Sequence, residues 1–397
     1  MTMAAAIESR PAMQAATSAS RLAHVQIFET FDGAKAVWAE LESSPACLST
    51  PYQRFPFVAS WQQHVGSLLG LKPCIIVGYD AHQQPLCVFP LGVKFEGGFR
   101  SARFLGGKHS TFNMALWDRD FAAHATEADL NMIFDAARTQ CGVDVLALVQ
   151  QPQSWLGVRN PVMMLPWQQA VNDCPLMTIV PDASPDTRIS NSFRRRLKGK
   201  ERKLQGLPGY RYVLARSEAD VKRLLDAFFI VKPQRMAAQK LPNVFADPGI
   251  EDFIRTACLT PVAGGGYAID IHALECDSEM IAMYAGVADG HRFSMMFNTY
   301  TMSEHAKYSP GQILMREIID YYASQKYTSL DLGIGSDEYK LLFCKGDEPI
   351  FDSFIALNAK GRMAALAMSA LANAKRFVKQ TPALMKVAGA MRNAIQR

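Results

Sequence analysis

The stretch that decides the fold is residues 308–343, which read YSPGQILMREIIDYYASQKYTSLDLGIGSDEYKLLF. Ser309 is a good N-cap, and Pro310 suits the first position of a helix. Apolar side chains then recur at the spacing of one helical face, and residues 329–333 have the composition of a short buried strand. A second short helix is expected at residues 337–343. The stretch therefore predicts a helix, a strand and a short helix in close succession.

Three apolar runs precede this stretch and are typical of consecutive antiparallel strands joined by polar turns. These runs are residues 267–274, 280–287 and 291–298. A further strand is expected at residues 350–357, which completes the order β-β-β-α-β-α-β. In this order the amino end of the helix at Ser309 lies just beyond the end of a strand. Because a helix N-terminus presents unpaired amides and a positive dipole, that position suits a pyrophosphate.

The motif Tyr308-Ser309-Pro310-Gly311-Gln312-Ile313-Leu314, followed by residues 330–343, resembles the CelD/BcsL-type acetyltransferases, which are relatives of the FemAB aminoacyl transferases. The resemblance is best over residues 182–354. It implies an α/β (α+β) fold of the GNAT (acyl-CoA N-acyltransferase) class, with mixed, mostly antiparallel sheets flanked by helices. The glycine-rich phosphate loop of the wider GNAT pattern is absent, since Gly311 is the only glycine near the helix start.

An earlier copy of the same unit is predicted upstream. It comprises a hairpin at residues 74–93, a strand at 111–117, a helix at 128–139 and a buried strand at 143–148. The similar length and order indicate a duplicated fold. We therefore predict tandem GNAT folds, with a disordered leader at 1–24, an N-terminal GNAT-like domain at 25–180, a C-terminal GNAT domain at 181–358 and a basic amphipathic tail at 359–397.

Composition bounds the class of protein. The chain has 397 residues, of which 49% are hydrophobic and 20% charged, so it is long enough for two globular domains. The first 24 residues lack the apolar core of a secretion signal, and the chain lacks an apolar run long enough to span a bilayer. We therefore expect a cytoplasmic protein. The eight cysteines and eight histidines show no metal-ligand spacing, so neither a metal nor disulfides are expected.

Positive charge is concentrated in two segments. Residues 188–203 hold eight basic residues and one acid, and the chain beyond Asp352 holds eight basic residues and no acid. The first segment resembles the Arg-rich helix of related acyltransferases, which implies phosphate binding by Arg194 and Arg195; the alternative is a solvated helix face. The second segment has the composition of an interfacial helix, which is compatible with peripheral contact with the inner membrane or a polysaccharide synthase. Because its apolar faces are mostly small alanines, a helix that is packed on its own domain or frayed is the more frequent explanation.

Three residues that follow the helix starting at Ser309 are candidates for catalysis. Asp331 at a strand end is placed to act as a base or to orient the acceptor, although it is equally suited to cap a turn. The resemblance implies that Tyr339 protonates the leaving thiolate, and Lys340 is placed to neutralise developing charge. Both residues also suit an ordinary helix surface. The sequence does not decide between these interpretations.

Cofactor and acceptor contacts are expected at other positions. The donor acyl-CoA is assigned to the helix start, at Ser309, Gly311, Gln312 and Ile313. The resemblance places Arg235 and Gln239 in a loop-like stretch that contacts the acceptor. His109, in a polar turn, is a candidate acid or base near neutral pH, although a lone turn histidine is more often structural.

These observations predict an acyl-CoA-dependent transferase, with acetyl as the expected group and a hydroxyl or amine of a sugar-based acceptor as its target. In relatives of this type the reaction is linked to exopolysaccharide or cellulose production. Two alternatives stay open. One is a FemAB-like transferase that uses aminoacyl-tRNA and binds RNA phosphates through the Arg-rich helix. The other is a non-catalytic accessory of a polysaccharide synthase.

Overall fold

The computed structural model describes residues 21–335 and 338–381. Residues 1–20 of the predicted leader, the expected start of the short helix at Asp337, and the tail from Pro382 onward lie outside the described residues. The helices in the described part are α1 (Phe31–Ser43), α2 (Phe55–Trp61), α3 (Arg119–His124), α4 (Glu127–Cys141), α5 (Asn191–Leu204), α6 (Glu218–Ala238), α7 (Ile250–Ala257), α8 (Pro310–Ser324) and α9 (Ala359–Gln380).

The strands of the first half are short or medium in length. They are β1 (His24–Phe28), β2 (Cys47–Leu48), β3 (Lys72–Tyr79), β4 (Pro85–Glu96), β5 (Phe99–Phe104), β6 (Leu116–Asp118), β7 (Val145–Pro152), β8 (Ser154–Trp155), β9 (Val158–Arg159), β10 (Gln168–Gln169) and β11 (Cys174–Thr178). The second half contributes β12 (Arg211–Leu214), β13 (Asp270–Glu275), β14 (Met280–Ala288), β15 (Arg292–Tyr300), β16 (Ser329–Asp331), β17 (Gly346–Glu348) and β18 (Ile350–Ala356).

Two mixed sheets carry the same arrangement. In the first sheet β3, β4 and β5 are antiparallel neighbours, and β5 pairs in parallel with β7 after the helix α4. In the second sheet β13, β14 and β15 are antiparallel neighbours, and β15 pairs in parallel with β16 after the helix α8. The predicted duplication is therefore present. The third strand of the first copy is β5, however, and not the segment at 111–117. Only the last two residues of that segment belong to a strand, which is β6.

The two sheets exchange strands. The strand β18 was expected to complete the second unit, but it pairs with β7 of the first sheet. In return β11, from the end of the first half, pairs with β16 in the second sheet. The expectation for β18 was wrong because an apolar run specifies that a strand is buried without specifying its partner. The predicted domain boundaries themselves stay a prediction.

The helix α8 is the element that positions the candidate site. Its apolar face, which includes Ile313, Leu314 and Ile318, is fully buried against the second sheet. Helix α5 packs against α8 through Phe193 and Leu197. As predicted, α8 begins at Pro310 with Ser309 as its N-cap residue, but Ser309 has a left-handed backbone (φ 57°) and its side chain makes no capping hydrogen bond.

Candidate functional site

The second sheet opens between two of its strands. The parallel pairing of β15 and β16 covers only Arg292–Ser294 against Ser329–Asp331, whereas β15 continues to Tyr300. A bulge in β15 helps to direct it away, since Phe297 faces Ala285 and Met295 faces Gly286, which leaves Met296 without a partner on β14. Beyond Ser294, the edge of β15 that faces β16 is therefore unpaired among the described strands, and a cavity of about 400 Å³ lies beside this edge.

Both halves of the chain line this cavity. The first half contributes residues 108–111, which follow β5. The second half contributes residues 295–298 of β15, residues 332–334 after β16, and apolar side chains such as Phe245 and Phe253. The cavity is therefore a concave, mostly apolar site with a few polar groups, which is the usual character of a small-molecule site.

Two of the predicted catalytic residues, Tyr339 and Lys340, lie in the cavity wall. They belong to a single 3-10 turn, Glu338–Leu342, rather than to the short α-helix expected at 337–343. The ammonium of Lys340 donates to the carbonyl oxygens of Gly333, Ile334 and Gly335 at 3.1, 3.0 and 3.1 Å. Lys340 thus fixes the loop after β16 and places one positive charge beside the cavity.

Asp331 is fully buried behind the cavity wall. Its carboxylate accepts hydrogen bonds from the hydroxyl of Ser294 and from the amide of Gly333, the latter at 3.0 Å. Burial raises the pKa of Asp331 to about 6, although the nearby Arg292 guanidinium and these two donors lower it. A carboxyl with this pKa is mostly ionised at pH 7 and can still exchange a proton. The turn-capping alternative is also present, in the bond from Gly333.

A row of hydroxyl groups lies between Asp331 and the cavity. The Ser294 hydroxyl donates to Asp331, and the buried phenol of Tyr52 lies close to Ser294. The Tyr52 hydroxyl donates to that of Thr111 at 3.0 Å, and Thr111 lines the cavity. Burial raises the pKa of Tyr52 well above its usual range, so the phenol stays protonated. Sequence analysis did not find Tyr52, Ser294 or Thr111, because residues so far apart in the chain share no local pattern.

His109 lines the cavity, but its environment differs from that of a general base. Its Nδ1 accepts a hydrogen bond from the indole N–H of Trp61 at 2.9 Å. Burial, with a smaller contribution from Lys108, lowers the pKa of His109 to about 4, so the ring is neutral at pH 7. Because the indole can only donate, the ring proton lies on Nε2. His109 is thus a hydrogen-bond donor at neutral pH.

The start of α8 carries the predicted donor residues. The ammonium of Lys200 on α5 donates to the Ser309 hydroxyl at 2.7 Å. The backbone of Gly311 passes close to two tyrosines, since a Cβ there would lie 3.6 Å from the Tyr284 hydroxyl and 3.6 Å from the Tyr300 ring. The amides of Gln312 and Ile313 both donate to the Ser309 carbonyl, at 3.0 and 3.2 Å, and the Ile313 side chain is in the core.

Arg235 lies next to this helix start. The loop-like stretch expected there is wrong, because α6 continues to Ala238 and Gln239 is its exposed C-cap residue. The Arg235 guanidinium stacks on the Tyr300 ring at 3.2 Å, and its buried Nη1 has no hydrogen-bond partner among the described residues. Burial lowers the pKa of Arg235, which is the effect expected of a cation that lacks a counter-ion.

The Arg-rich helix α5 has two kinds of arginine. Arg194 forms two hydrogen bonds to the Asp320 carboxylate of α8, at 2.6 and 2.8 Å, and Arg188 joins the same carboxylate at 3.2 Å. Arg195 is exposed instead. The two predicted phosphate ligands therefore differ in their availability. Arg194 is engaged in an ion pair within the fold, whereas Arg195 faces solvent.

The predicted site residues thus form three groups. His109, Tyr339 and Lys340 line one cavity, with Asp331 behind its wall. Ser309, Gly311 and Arg235 surround the start of α8, and Tyr284 connects the two groups because it lies close to Gly311, Arg235 and Tyr339. Arg195 and Gln239 lie on exposed surfaces. Among the described residues, no group of three or more His, Cys, Asp or Glu side chains could hold a metal ion.

Comparison with known proteins agrees with this geometry. Residues 191–341 match the model of the acetyltransferase (GNAT) domain. This match covers α5 to the 3-10 turn at 338–342 and includes the diverging strands β15 and β16. The matched residues thus form a domain of the GNAT type and the protein is an acyltransferase, and its α/β fold with mixed sheets flanked by helices is the predicted one. No curated protein matches the chain in sequence.

Solved structures resemble the chain over both of its halves. FemX has a TM-score of 0.55 at 9% identity, with 84% of this chain and 98% of that chain covered. The C-terminal domain of a putative lysylphosphatidylglycerol synthetase from Agrobacterium fabrum has a TM-score of 0.50 at 11% identity, with 86% and 96% covered. A conserved protein of unknown function from Bacteroides thetaiotaomicron has a TM-score of 0.50 at 10% identity, with 84% and 100% covered. At these identities the likeness shows the fold alone.

Proposed function

We propose that the protein transfers an acyl group from acyl-CoA to a hydroxyl or amine of a sugar-based acceptor. The observation that carries the proposal is the opening between β15 and β16, with the amino end of α8 beyond it. A donor in this opening would have its thioester near the cavity wall formed by residues 332–334 and its phosphates near Ser309 and Gly311. The helix start provides the Gly311 amide and a positive dipole for these phosphates, since the amides of Gln312 and Ile313 already donate to the Ser309 carbonyl.

Two cations support phosphate binding at the start of α8. Lys200 already touches the Ser309 hydroxyl at 2.7 Å, and Arg235 has one buried N–H without a partner among the described residues. A buried guanidinium N–H without an acceptor costs free energy unless a ligand supplies one. Since Gly311 is the only glycine near the helix start, these cations replace part of what a glycine-rich loop provides. Lys200 was not among the sequence predictions.

The cavity has groups for each step of acyl transfer. The acceptor oxygen or nitrogen attacks the thioester carbonyl and gives its proton to Thr111. Once the Tyr52 hydroxyl has turned from Thr111 toward Ser294, the proton passes through Tyr52 and Ser294 to the Asp331 carboxylate, which returns it to solvent before the next turnover. The bond between carbon and sulfur then breaks, and the CoA thiolate takes a proton from the Tyr339 phenol, which is reprotonated from solvent. The Lys340 ammonium favours the negative charge that develops during the reaction.

Calorimetric titration with acetyl-CoA tests the donor site. Wild-type protein is expected to bind with micromolar affinity, and Gly311→Trp to lose binding because the new side chain would occupy the space beside Tyr284 and Tyr300. The matched control is Gly199→Trp, since Gly199 lies in α5 with open space around it. If neither acetyl-CoA nor longer acyl-CoA binds, or if Gly311→Trp binds like the control, the proposal fails.

The sugar acceptor rests on the resemblance to the CelD/BcsL-type acetyltransferases. The hydroxyls of Ser110 and Thr111 and the donor nitrogen of His109 give the cavity polar groups suited to a hydroxyl-rich ligand. Screening sugar and amino-sugar acceptors with labelled acetyl-CoA would test this assignment. Transfer to no sugar acceptor, with transfer to another class of acceptor, would refute it.

A FemAB-like transfer from aminoacyl-tRNA is the second candidate, supported by one observation on α5. Five of its basic residues form an exposed surface that the ion pairs with α8 leave available: Arg195, Arg196, Lys198, Arg202 and Lys203. The fold likeness to FemX and to the lysylphosphatidylglycerol synthetase domain accords with this candidate. It predicts tRNA binding that weakens steeply with salt and that Arg195→Ala reduces. Absence of such binding would leave acyl-CoA as the donor.

Location in the cytoplasm, with peripheral contact at the inner membrane, is part of the proposal. None of the described helices is long and apolar enough to cross a membrane. Helix α9 packs on the first unit through small residues such as Ala364 and Ala365, while Met363, Leu366 and Phe377 are exposed. Basic residues flank these apolar side chains, which suits an anionic lipid surface. Co-sedimentation with anionic vesicles that persists after Phe377→Asp and Leu366→Asp would refute a role for α9.

A further inference from the structure

A second cavity of about 470 Å³ adjoins the candidate active site. It lies between the segment from Trp61 to Leu71, the strands β4 and β5, and residues 247–250. The two cavities have Lys108, His109 and Ile250 in common. These three residues therefore form a wall that the two cavities share.

The second cavity is lined mainly by apolar side chains. They come from the end of α2 and the segment after it, from β5 and from the start of α7: Trp61, Val65, Leu68, Leu69, Leu71, Phe104, Pro248 and Ile250. Leu68 and Leu69 are 64% and 50% exposed. Adjacent exposed leucines at the edge of an apolar cavity lose contact with water when an apolar ligand covers them. The cavity therefore suits a hydrocarbon ligand.

The charged side chains of this cavity already have partners. The Lys108 ammonium and the Asp247 carboxylate are 2.8 Å apart. Arg103 and Lys94 both pair with Glu96, the latter at 3.6 Å. A phosphate or carboxylate would have to compete with these carboxylates for the cations. The cavity is therefore poorly suited to an anionic ligand, in contrast to the start of α8.

We propose that the second cavity holds the hydrocarbon chain of the acyl donor, so that the group transferred is a medium or long acyl chain in place of acetyl. The inference rests on the proposed acyl-CoA-dependent function. An acyl chain is bonded directly to the reacting carbonyl, so a long chain extends to the edge of the active cavity, where displacement of the His109 side chain would open the shared wall to the second cavity. In a lipid acceptor, by contrast, a polar head group separates the reacting atom from its hydrocarbon.

Calorimetric titration with CoA, acetyl-CoA, octanoyl-CoA and dodecanoyl-CoA tests the proposal. Affinity is expected to rise with chain length, by up to about fourfold per methylene, which corresponds to about 0.8 kcal/mol for each buried CH₂. Leu68→Asp and Leu69→Asp should abolish most of this gain and leave acetyl-CoA binding unchanged. Ile230→Asp is the matched control, since Ile230 is 61% exposed on α6 and lines neither cavity.

Each other outcome overturns the proposal. Equal affinity for acetyl-CoA and dodecanoyl-CoA would mean that no chain is bound, and a gain that survives both leucine substitutions would place the chain elsewhere. Binding of dodecyl glucoside in the presence of acetyl-CoA, if Leu68→Asp abolished it, would assign the cavity to the acceptor. If neither CoA nor any of its thioesters bound, the proposed function itself would be refuted. The same titration separates this outcome from the absence of a chain-length effect, which would refute only the acyl-chain proposal.

Discussion

Substitution of Asp331 by Asn tests the proposed route for the proton. The Asn side chain keeps the size of Asp and one acceptor for Ser294 or Gly333, but it cannot take up a proton. General-base catalysis contributes about 10² to 10⁴ in rate, so kcat should fall by that factor. Because Asp331 does not line the cavity, the affinity for acyl-CoA should not change.

The pH dependence of kcat gives a second quantitative test of the role of Asp331. With a pKa of about 6, Asp331 is ionised to about nine-tenths at pH 7 and to about one-tenth at pH 5. The kcat of the wild type should therefore fall about tenfold between pH 7 and pH 5. The residual activity of Asp331→Asn should lack this dependence. Initial rates of thiol release between pH 5 and pH 8 measure both quantities.

Asp352→Asn is the control for this substitution. Asp352 in β18 is also buried, and burial likewise raises its pKa to about 6, but its carboxylate accepts from the Gln150 amide at 2.8 Å and lines neither cavity. The control should keep both the activity and the pH profile of the wild type. The reasoning is refuted if Asp331→Asn keeps more than about a tenth of kcat, or if the acidic limb persists in that variant.

Three further predictions follow from the ion pairs and the buried carboxyls. Lys200→Ala should weaken acyl-CoA binding about tenfold in calorimetry, since it removes one charged contact beside Ser309; an unchanged Kd would exclude that role. Arg194→Ala should lower the free energy of unfolding by about 1.5 to 3 kcal/mol in urea titration, and Arg195→Ala by less than about 0.5 kcal/mol, because only the former is bonded to Asp320. Asp352 has a higher pKa in the folded protein than in the unfolded chain, so its protonated form stabilises the fold at low pH. This contribution of about 3 kcal/mol is present below pH 4 and is lost as the pH rises to 6. The free energy of unfolding of the wild type, compared with that of Asp352→Asn, must fall over this range.

Local signals were enough to predict the elements that build the donor site. Ser309 and Pro310 mark the start of α8, and apolar periodicity marks β14 and β15. The strand β5 gives a weaker signal because two arginines interrupt its apolar residues. Pro233 disfavours a helix interior, yet α6 continues to Ala238, and Arg235 in this last part stacks on Tyr300. The secondary structure at these two places thus depends on the surrounding fold, because the local sequence pattern is ambiguous.

The chemistry of the cavity was less predictable than the fold. His109 is neutral because burial lowers its pKa, and it donates through Nε2 because its Nδ1 accepts from Trp61, which is 48 residues away in the chain. Thr111, Tyr52, Ser294 and Asp331, which line up from the cavity to the buried carboxylate, come from four separate segments of the chain. Such arrangements depend on which side chains the fold brings together, and no spacing within one segment records them. The role of each residue therefore had to be inferred from the structure.

The exchange of strands between the sheets has a consequence for synthesis of the protein. The edge of β7 that pairs with β18 stays open until the ribosome has released Ala356, although β7 itself is complete some two hundred residues earlier. During that interval the nascent chain presents an unpaired, apolar strand edge, which is a template for wrong pairing. Expression of the first half alone would leave that edge permanently open, and such a fragment should aggregate unless a peptide containing β18 is supplied.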